Sequence, residues 1–155
     1  MSEPQAGRPI GDVHELVRIV ELSEFRTYRL FGQRVVGEES REPSQSLTVQ
    51  AGGDSTHLEC RVRMALVTEH AELEAEIGVV YVMPEPVEMA AAVVAEFIEK
   101  VGIMAVFPFL REAVFTTATR LGVPAPVVGI LRLGDATVEF DENATWPPRG
   151  DASPV

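Results

Sequence analysis

The groups able to do chemistry are few and scattered. His14, His57 and His70 lie far apart, and no two of them have the short spacing that holds a metal ion. Cys60 is the one cysteine; it cannot complete a zinc site, and no activating base is signalled beside it. It falls on an apolar strand face, where cysteine packs as a small hydrophobe. His70 reads as a solvated residue at a hairpin tip. There is no P-loop and no dinucleotide-binding fingerprint. Asn143-Ala144-Thr145 matches a glycosylation sequon, a chance match if the chain carries no secretory signal. One row of carboxylates remains, Glu72, Glu74 and Glu76, whose alternation places all three on one strand face. A metal or catalytic set would need them to converge. An outward row is more simply a solvated face that blunts edge pairing, and between these lies an acidic surface for docking a basic partner.

Composition narrows the function further. The 155 residues include 13 basic and 24 acidic side chains, a net charge of −11, with most of the surplus in residues 51–100. Such a field repels phosphate, so neither nucleic acid nor an anionic membrane is an expected partner. Hydrophobic residues at 46% and charged ones at 24% suit a folded domain, not a disordered chain. No apolar run approaches the length of a membrane span, and Met1–Gln5 do not open a secretory signal. A lone cysteine fits a reducing compartment, so the expected location is cytoplasmic. No cofactor is indicated.

The elements follow from periodicity. Residues 1–12, with two prolines, read as a flexible arm. Asp12 and Glu15 form a candidate capping box for a short helix, after which Ile19 to Val36 reads as a long irregular strand. Leu47, Val49 and Ala51 alternate with polar residues in a strand ending at Gly52-Gly53. Leu58 to Leu66 and Leu73 to Tyr81 form a hairpin across Glu69-His70, apolar on one face, with Arg63 opposite Glu76 on the other. Ala90, Val93, Val94, Phe97, Ile98 and Val101 make a helical stripe; Gly102 is expected to break it. A second helix is expected from about Pro108 to Leu121, closed by Gly122 and Pro124. Residues 124–134 read as extended and 135–155 as an acidic, Pro- and Gly-rich mobile tail anchored by Trp146. Strands first and helices afterwards predict an α+β fold with an antiparallel sheet, not the βαβ units of a nucleotide-binding domain.

The chain also carries more apolar surface than one small domain buries. Val79, Val80, Tyr81, Val82 and Met83 are apolar on both faces of a strand end; Phe25, Tyr28, Leu30 and Phe31 are similar, and 103–110 is apolar all round. On the second helix Phe109, Leu110, Val114, Phe115, Ala118 and Leu121 cover more than one side. Such surplus predicts contact between subunits, a groove for other polypeptides, or both. A small enzyme with an enclosed pocket and a Glu or His base, and a structural oligomeric adaptor, are the competing readings; neither has a recognisable constellation behind it.

Phe107-Pro108-Phe109-Leu110-Arg111-Glu112, an aromatic-Pro-aromatic-x-Arg-Glu helix start, resembles the SecB family of export chaperones, as does the stop Arg120-Leu121-Gly122-Val123-Pro124-Ala125-Pro126. Residues 56–131 carry the resemblance. It implies a four-stranded antiparallel sheet followed by two helices on one face, over a chaperone domain of residues 13–134. It implies a homotetramer built as a dimer of dimers and ATP-independent holding of unfolded clients, export precursors or an aggregation-prone antitoxin. The implied client-binding residues are Phe25, Tyr28, Leu30, Val80, Tyr81, Val82, Met83, Phe97 and Met104. The implied oligomer interface is Phe109, Leu110, Val114, Phe115, Ala118 and Leu121. Glu72, Glu74, Glu76 and Trp146 are the candidate partner-docking residues. Glu76 stands where the export family has an acidic residue used to dock a SecA-type export motor, but Glu74 replaces an apolar neighbour. The export family's further helix is shortened or absent after Leu133. The end of the chain, Trp146-Pro147-Pro148-Arg149-Gly150, resembles SecB-like chaperones attached to toxin–antitoxin modules.

Overall fold

The computed structural model describes residues 6–37, 41–129, 137–139 and 145–148. Four long strands form its frame: β2 (Glu21–Arg34), β3 (Ser44–Gly53), β4 (His57–Val67) and β5 (Ala71–Val82). They pair antiparallel in the order β2-β5-β4-β3. Before them come β1 (Arg8–Ile10) and the short helix α1 (Val13–Ile19); after them come β6 (Val87–Ala90), α2 (Ala91–Phe97) and α3 (Ile103–Leu121). Two short returns follow. β7 (Thr137–Glu139) adds parallel to the edge of β3, and β8 (Thr145–Trp146) joins a small sheet ordered β1-β6-β8.

Most boundaries follow the sequence. Asp12 caps α1, its Oδ1 accepting from the Glu15 N–H at 2.8 Å, while Glu15 Oε2 accepts from Gly11 N–H at 3.1 Å. The chain then turns into β2, a 14-residue strand with irregularities between Leu22 and Glu24 and between Thr27 and Arg29. Two expectations need correction at the ends. Residues 8–10 are not a free arm: they pair with β6 in register Arg8↔Val87 to Ile10↔Met89. Parts of the expected tail likewise return to the sheets as β7 and β8. Residues 1–5, and the rest of 135–155, lie outside the described residues.

The helices pack on one face of the sheet. The break expected at Gly102 is absent: residues 98–102 form a π-helical turn that joins α2 to α3, and Gly102 keeps right-handed helical angles (φ −61°, ψ −53°). The extra residue of a π turn re-aims everything after it, so α3 begins at Ile103, upstream of Pro108. Gly102 serves close approach, not termination. A Cβ there would lie 2.8 Å from Cys60 Sγ and 2.9 Å from Cys60 Cβ. The helix thus rests on β4 with no room for a side chain at this position. Burial pushes the Cys60 thiol up to about 12, with the Glu59 charge adding to it.

Beneath the helices lie Leu47 and Val49 of β3, Leu58, Cys60, Val62 and Met64 of β4, and Leu73, Ala75, Ile77, Val79 and Tyr81 of β5, all buried. At the far end Arg34 Nη1 donates to the Leu121 carbonyl at 3.0 Å, tying the last turn of α3 back to β2.

Gly102→Ala should destabilise the chain by roughly 1–3 kcal/mol through overpacking, although alanine is the better helix former by about 1 kcal/mol. Cys60→Ala in the same chain should recover part of the loss, because the sulfur half of the clash goes. Denaturant unfolding of the four chains of the cycle measures both; a stabilised Gly102→Ala would refute the close-packing account.

Candidate functional site

The two faces of the sheet differ in kind. Paired residues of neighbouring strands share a face, so the partners of the β5 core row extend that row onto the edge strand: Leu22↔Tyr81, Phe25↔Val79, Thr27↔Ile77 and Leu30↔Ala75. On β5 these positions are buried; on β2, Leu22 is 49% exposed, Phe25 37% and Leu30 58%. Helix α3 reaches the edge at Phe109, whose ring centroid stands 4.2 Å from that of Phe25 at a 34° tilt. Phe109 is itself 46% exposed. The result is an apolar ledge with β2 as floor and Phe109 as wall. Among the described residues, no strand pairs with the second edge of β2.

Several expected client-binding residues belong elsewhere. Val80, Tyr81, Met83 and Phe97 are buried, and Tyr81 and Phe97 pack edge to face at 4.9 Å inside the core. Burial pushes the Tyr81 hydroxyl up to about 12, and it has no hydrogen-bond partner among the described residues. Val82 is half-buried. Phe25, Tyr28, Leu30 and Met104 are the exposed members of that group. The expected oligomer residues divide in the same way. Leu110, Val114 and Ala118 fill the chain's own core and Leu121 is half-buried, leaving Phe109 and Phe115 exposed. The helix turns Met104, Pro108 and Phe115 along one outward line, with Arg111 between them, and sends Phe109 to the ledge. The surplus apolar surface read from sequence is real in part; Val79 and Tyr81 of the strand end and one side of α3 are buried in the core beneath the helices, whereas Val80 lies on the other face.

The opposite face of the sheet is ionic. Arg29 Nε and Arg63 Nε lie 3.0 and 2.7 Å from Glu74 Oε1, Arg61 Nε lies 2.6 Å from Glu76, and Arg41 pairs with Glu72. Arg63 does stand opposite Glu76 in register, as expected, but the ion pairs run diagonally. Arg26 bridges Glu24 at 2.5 Å and Glu59 at 3.4 Å. Glu59 is 3% exposed and accepts from the Tyr28 hydroxyl at 2.5 Å, and the Arg61 guanidinium lies 3.7 Å from the Tyr28 ring centre. Burial, with the Glu59 contact, raises the Tyr28 hydroxyl. Gly78 makes this seat: a Cβ there would meet Glu59 Oε1 at 2.3 Å and the Tyr28 ring at 3.0 Å. The row Glu72, Glu74, Glu76 is therefore not a free acidic patch, and only Glu72 at its end is well exposed. Each carboxylate already faces an arginine, and Glu74 and Glu76 are only 13% and 17% exposed.

The histidines stay apart. His57 and Asp54 belong to the β3–β4 turn, and His70 to the β4–β5 turn. His14 lines a cavity of about 460 Å³ with Arg8, Asp12, Glu15, Arg18 and Ile19. That cavity is open and its Arg8–Glu15 pair is solvated, so it encloses no desolvated base. Among the described residues no three His, Cys, Asp or Glu gather as metal ligands, and no helix is long and apolar enough to cross a membrane.

An α+β sheet with helices on one face and an apolar ledge at its rim invites comparison with known proteins. No family model matches the chain. It is 31% identical over 134 residues to the SecB-like chaperone SmegB of Mycolicibacterium smegmatis, a match covering 86% of this chain and 90% of that protein. The chain belongs to the SecB-like chaperones. The Mycobacterium tuberculosis Rv1957 SecB-like chaperone, solved in complex with a ChAD peptide from the Rv1956 HigA1 antitoxin, shares the fold. Its TM-score is 0.62 at 15% identity, covering 77% of this chain and 94% of that one. The family resemblance carried by Phe107–Glu112 and the four-stranded antiparallel sheet both hold for this SecB-like chaperone.

Trp146, read from sequence as an aromatic anchor of the tail, packs within the chain itself. It is buried, packed in the core cluster, and its Nε1 donates to the Asp54 carbonyl at 3.0 Å. β1 and β6 were missed. The Val87-x-Met89 alternation was a signal for β6, hidden by its four-residue length and the preceding Pro86.

The neighbours Val114 and Phe115 separate fold from surface. Val114→Asp should lose on the order of 3–5 kcal/mol by burying an unpaired charge. Phe115→Asp should leave the fold intact, as exposed sites do. Circular dichroism with urea titration reads both; a Phe115→Asp chain as unfolded as Val114→Asp would contradict this division.

Proposed function

We propose that this SecB-like chaperone is an ATP-independent holdase that binds unfolded or partly folded polypeptides along the β2 ledge. The observation that supports it best is the exposed continuation of the core row, Leu22, Phe25 and Leu30 beside Phe109. Each client Leu or Phe buried there gains about 1.5–3 kcal/mol, and the unpaired edge of β2 offers backbone hydrogen bonds to an extended segment. Neither contact reads a sequence. We place Phe25 and Leu30 in client contact on the ledge; Tyr28, held by Glu59 and Arg61 on the opposite face, lies outside it. Met104, Pro108 and Phe115, on the outward line of α3, suit contact between subunits of a homotetramer built as a dimer of dimers. Repetition of weak ledges on one assembly then supplies avidity.

The client we favour is an antitoxin-like chain more than a general export precursor. Two observations support this: the structural neighbour was solved with an antitoxin peptide, and the row expected to dock an export motor is already paired with arginines. A cytoplasmic location fits a single buried thiol. An enzyme is disfavoured because the cavity at His14 is open and its carboxylates are solvated.

Diluting a denatured model protein into buffer without nucleotide should give reduced light scattering when the chaperone is present. Phe25→Asp with Leu30→Asp should weaken that protection several-fold without changing circular dichroism. No protection at stoichiometric excess would refute the holdase. Sedimentation should show a tetramer that Phe115→Asp divides; a monomeric wild type at micromolar concentration would refute the assembly. Co-purification with mass spectrometry should return one dominant small antitoxin; many unrelated precursors would point to export.

A further inference from the structure

On the ionic face of the sheet the carboxylates lie beneath and the guanidinium groups lie above. Glu74 and Glu76 are 13% and 17% exposed, whereas Arg29, Arg61 and Arg63 are 52%, 32% and 53% exposed. All three arginines pair through Nε, Arg29 and Arg63 with Glu74 and Arg61 with Glu76. Nε is the nitrogen nearest the stem, so pairing there leaves the two-pronged end of the group clear. Among the described residues, none of these terminal nitrogens makes a hydrogen bond. Arg26 differs, giving Nε and Nη2 to Glu24 and Nη1 to Glu59.

The forks are held in place and regularly spaced. Arg61 Cζ stands 3.7 Å from the centre of the Tyr28 ring, and Arg29 Cζ stands 5.4 Å from that of Phe31. A guanidinium fixed by a carboxylate at Nε and by a ring at its face loses little freedom on meeting a second carboxylate. Arg61 and Arg63 are two residues apart on β4, about 6.8 Å. Arg29 faces Arg63 across Glu76 of β5, two strand spacings or about 9.6 Å away. Alternate side chains of an extended polypeptide share a face at the same spacing of about 6.8 Å. β4 lies inside the sheet, paired on both sides, so its side chains and not its backbone meet a partner.

Charge complementarity here is local. The carboxylates beneath cancel the arginines at a distance, on a chain whose net charge is −11. Beyond about 8 Å in physiological salt nothing steers an anion to this face; at contact, the outward forks are what a carboxylate meets first. A long polyanion such as nucleic acid feels the whole acidic field and is repelled. A short acidic segment meets mainly the forks.

We propose that the outward forks of Arg29, Arg61 and Arg63 form a docking site for an extended acidic segment of a partner protein, with carboxylates at alternate residues. The inference goes beyond the holdase reading and uses the other face of the sheet from the β2 ledge. Its polarity is opposite to that of the basic partner which a row of bare glutamates would take.

The probe is a short labelled peptide alternating Glu with Ser, its binding read by anisotropy in physiological salt. The variant carries Arg61→Gln, Arg63→Gln, Glu74→Gln and Glu76→Gln together. It removes two forks along with the carboxylates beneath them, so no buried charge is stranded and the net charge stays at −11. The native chain should bind the peptide and the variant should bind it roughly 10-fold more weakly. No binding by the native chain, or equal binding by a variant with native circular dichroism, overturns the proposal. Arg61→Lys with Arg63→Lys keeps the charge and the pairing but not the forks, and should weaken binding several-fold; undiminished binding overturns the role of the forks. The same number of Glu at every third residue cannot share one face of an extended chain and should bind several-fold more weakly; equal affinity overturns the match in spacing. A peptide alternating Lys with Ser, or single-stranded DNA, binding as tightly as the acidic peptide overturns the choice of partner. Sedimentation of the variant should match the native chain; a changed assembly would mean that this face joins copies of the chain, which also overturns the proposal. Suppression of aggregation should be equal in native chain and variant, since Phe25 and Leu30 are untouched. If neither suppresses it, the holdase reading fails and the peptide measurements still decide this one.

Discussion

One helix cannot cover four strands. A helix with its side chains is about 10 Å across, whereas four strands at about 4.8 Å spacing span roughly 15 Å before their own width is counted. The π-joined pair α2 and α3 meets β4 at Gly102, packs most on β5 and reaches β2 at Phe109, Thr117 and Leu121. Everything notable about this surface follows from that shortfall. The core row of β5 is sealed, and its continuation on β2 is not. An apolar side chain on an edge strand is ordinarily a hazard; here it is the contact proposed for clients.

The opposite face shows how the remaining sheet is kept from competing. Arginines 26, 29, 41, 61 and 63 meet glutamates 24, 59, 72, 74 and 76 in a lattice of ion pairs. Each exposed pair contributes little to stability, roughly 0–1 kcal/mol. The aromatic rings on that face, Tyr28 and Phe31, lie under the Arg61 and Arg29 guanidinium groups. The two sides of one sheet therefore present unlike surfaces, one dominated by ion pairs and the other ending in the apolar row Leu22, Phe25 and Leu30.

Strand registers were legible in the sequence because alternation is strict where one face is buried. The hairpin 58–81 and the strand ending at Gly52-Gly53 stand where the pattern put them. The helix join was not legible. Gly102 has the residue type of a stop, and the reason it is glycine lies in Cys60, distant in sequence and visible only in three dimensions. The same gap explains the site. Tyr81, Met83 and Phe97 have the composition of a binding groove, but composition does not say which side of a ring a helix will cover. Phe25 and Leu30 could be read as surplus from the strand alone, since an edge has one neighbour. Carboxylate pairing was likewise invisible, because the partners of Glu74 come from β2 and β4 at once.

The contact between Cys60 and Gly102 has a bearing on how such a chain can vary over generations. Neither position can enlarge alone, because the helix has no room to rise without lifting off β4, and β4 lies in the interior of the sheet. Position 60 can gain volume only where position 102 has none to lose, so the two behave as one heritable unit. The rim of β2 and the exposed line of α3 are under no such constraint, since side chains there can be exchanged without disturbing the join beneath them.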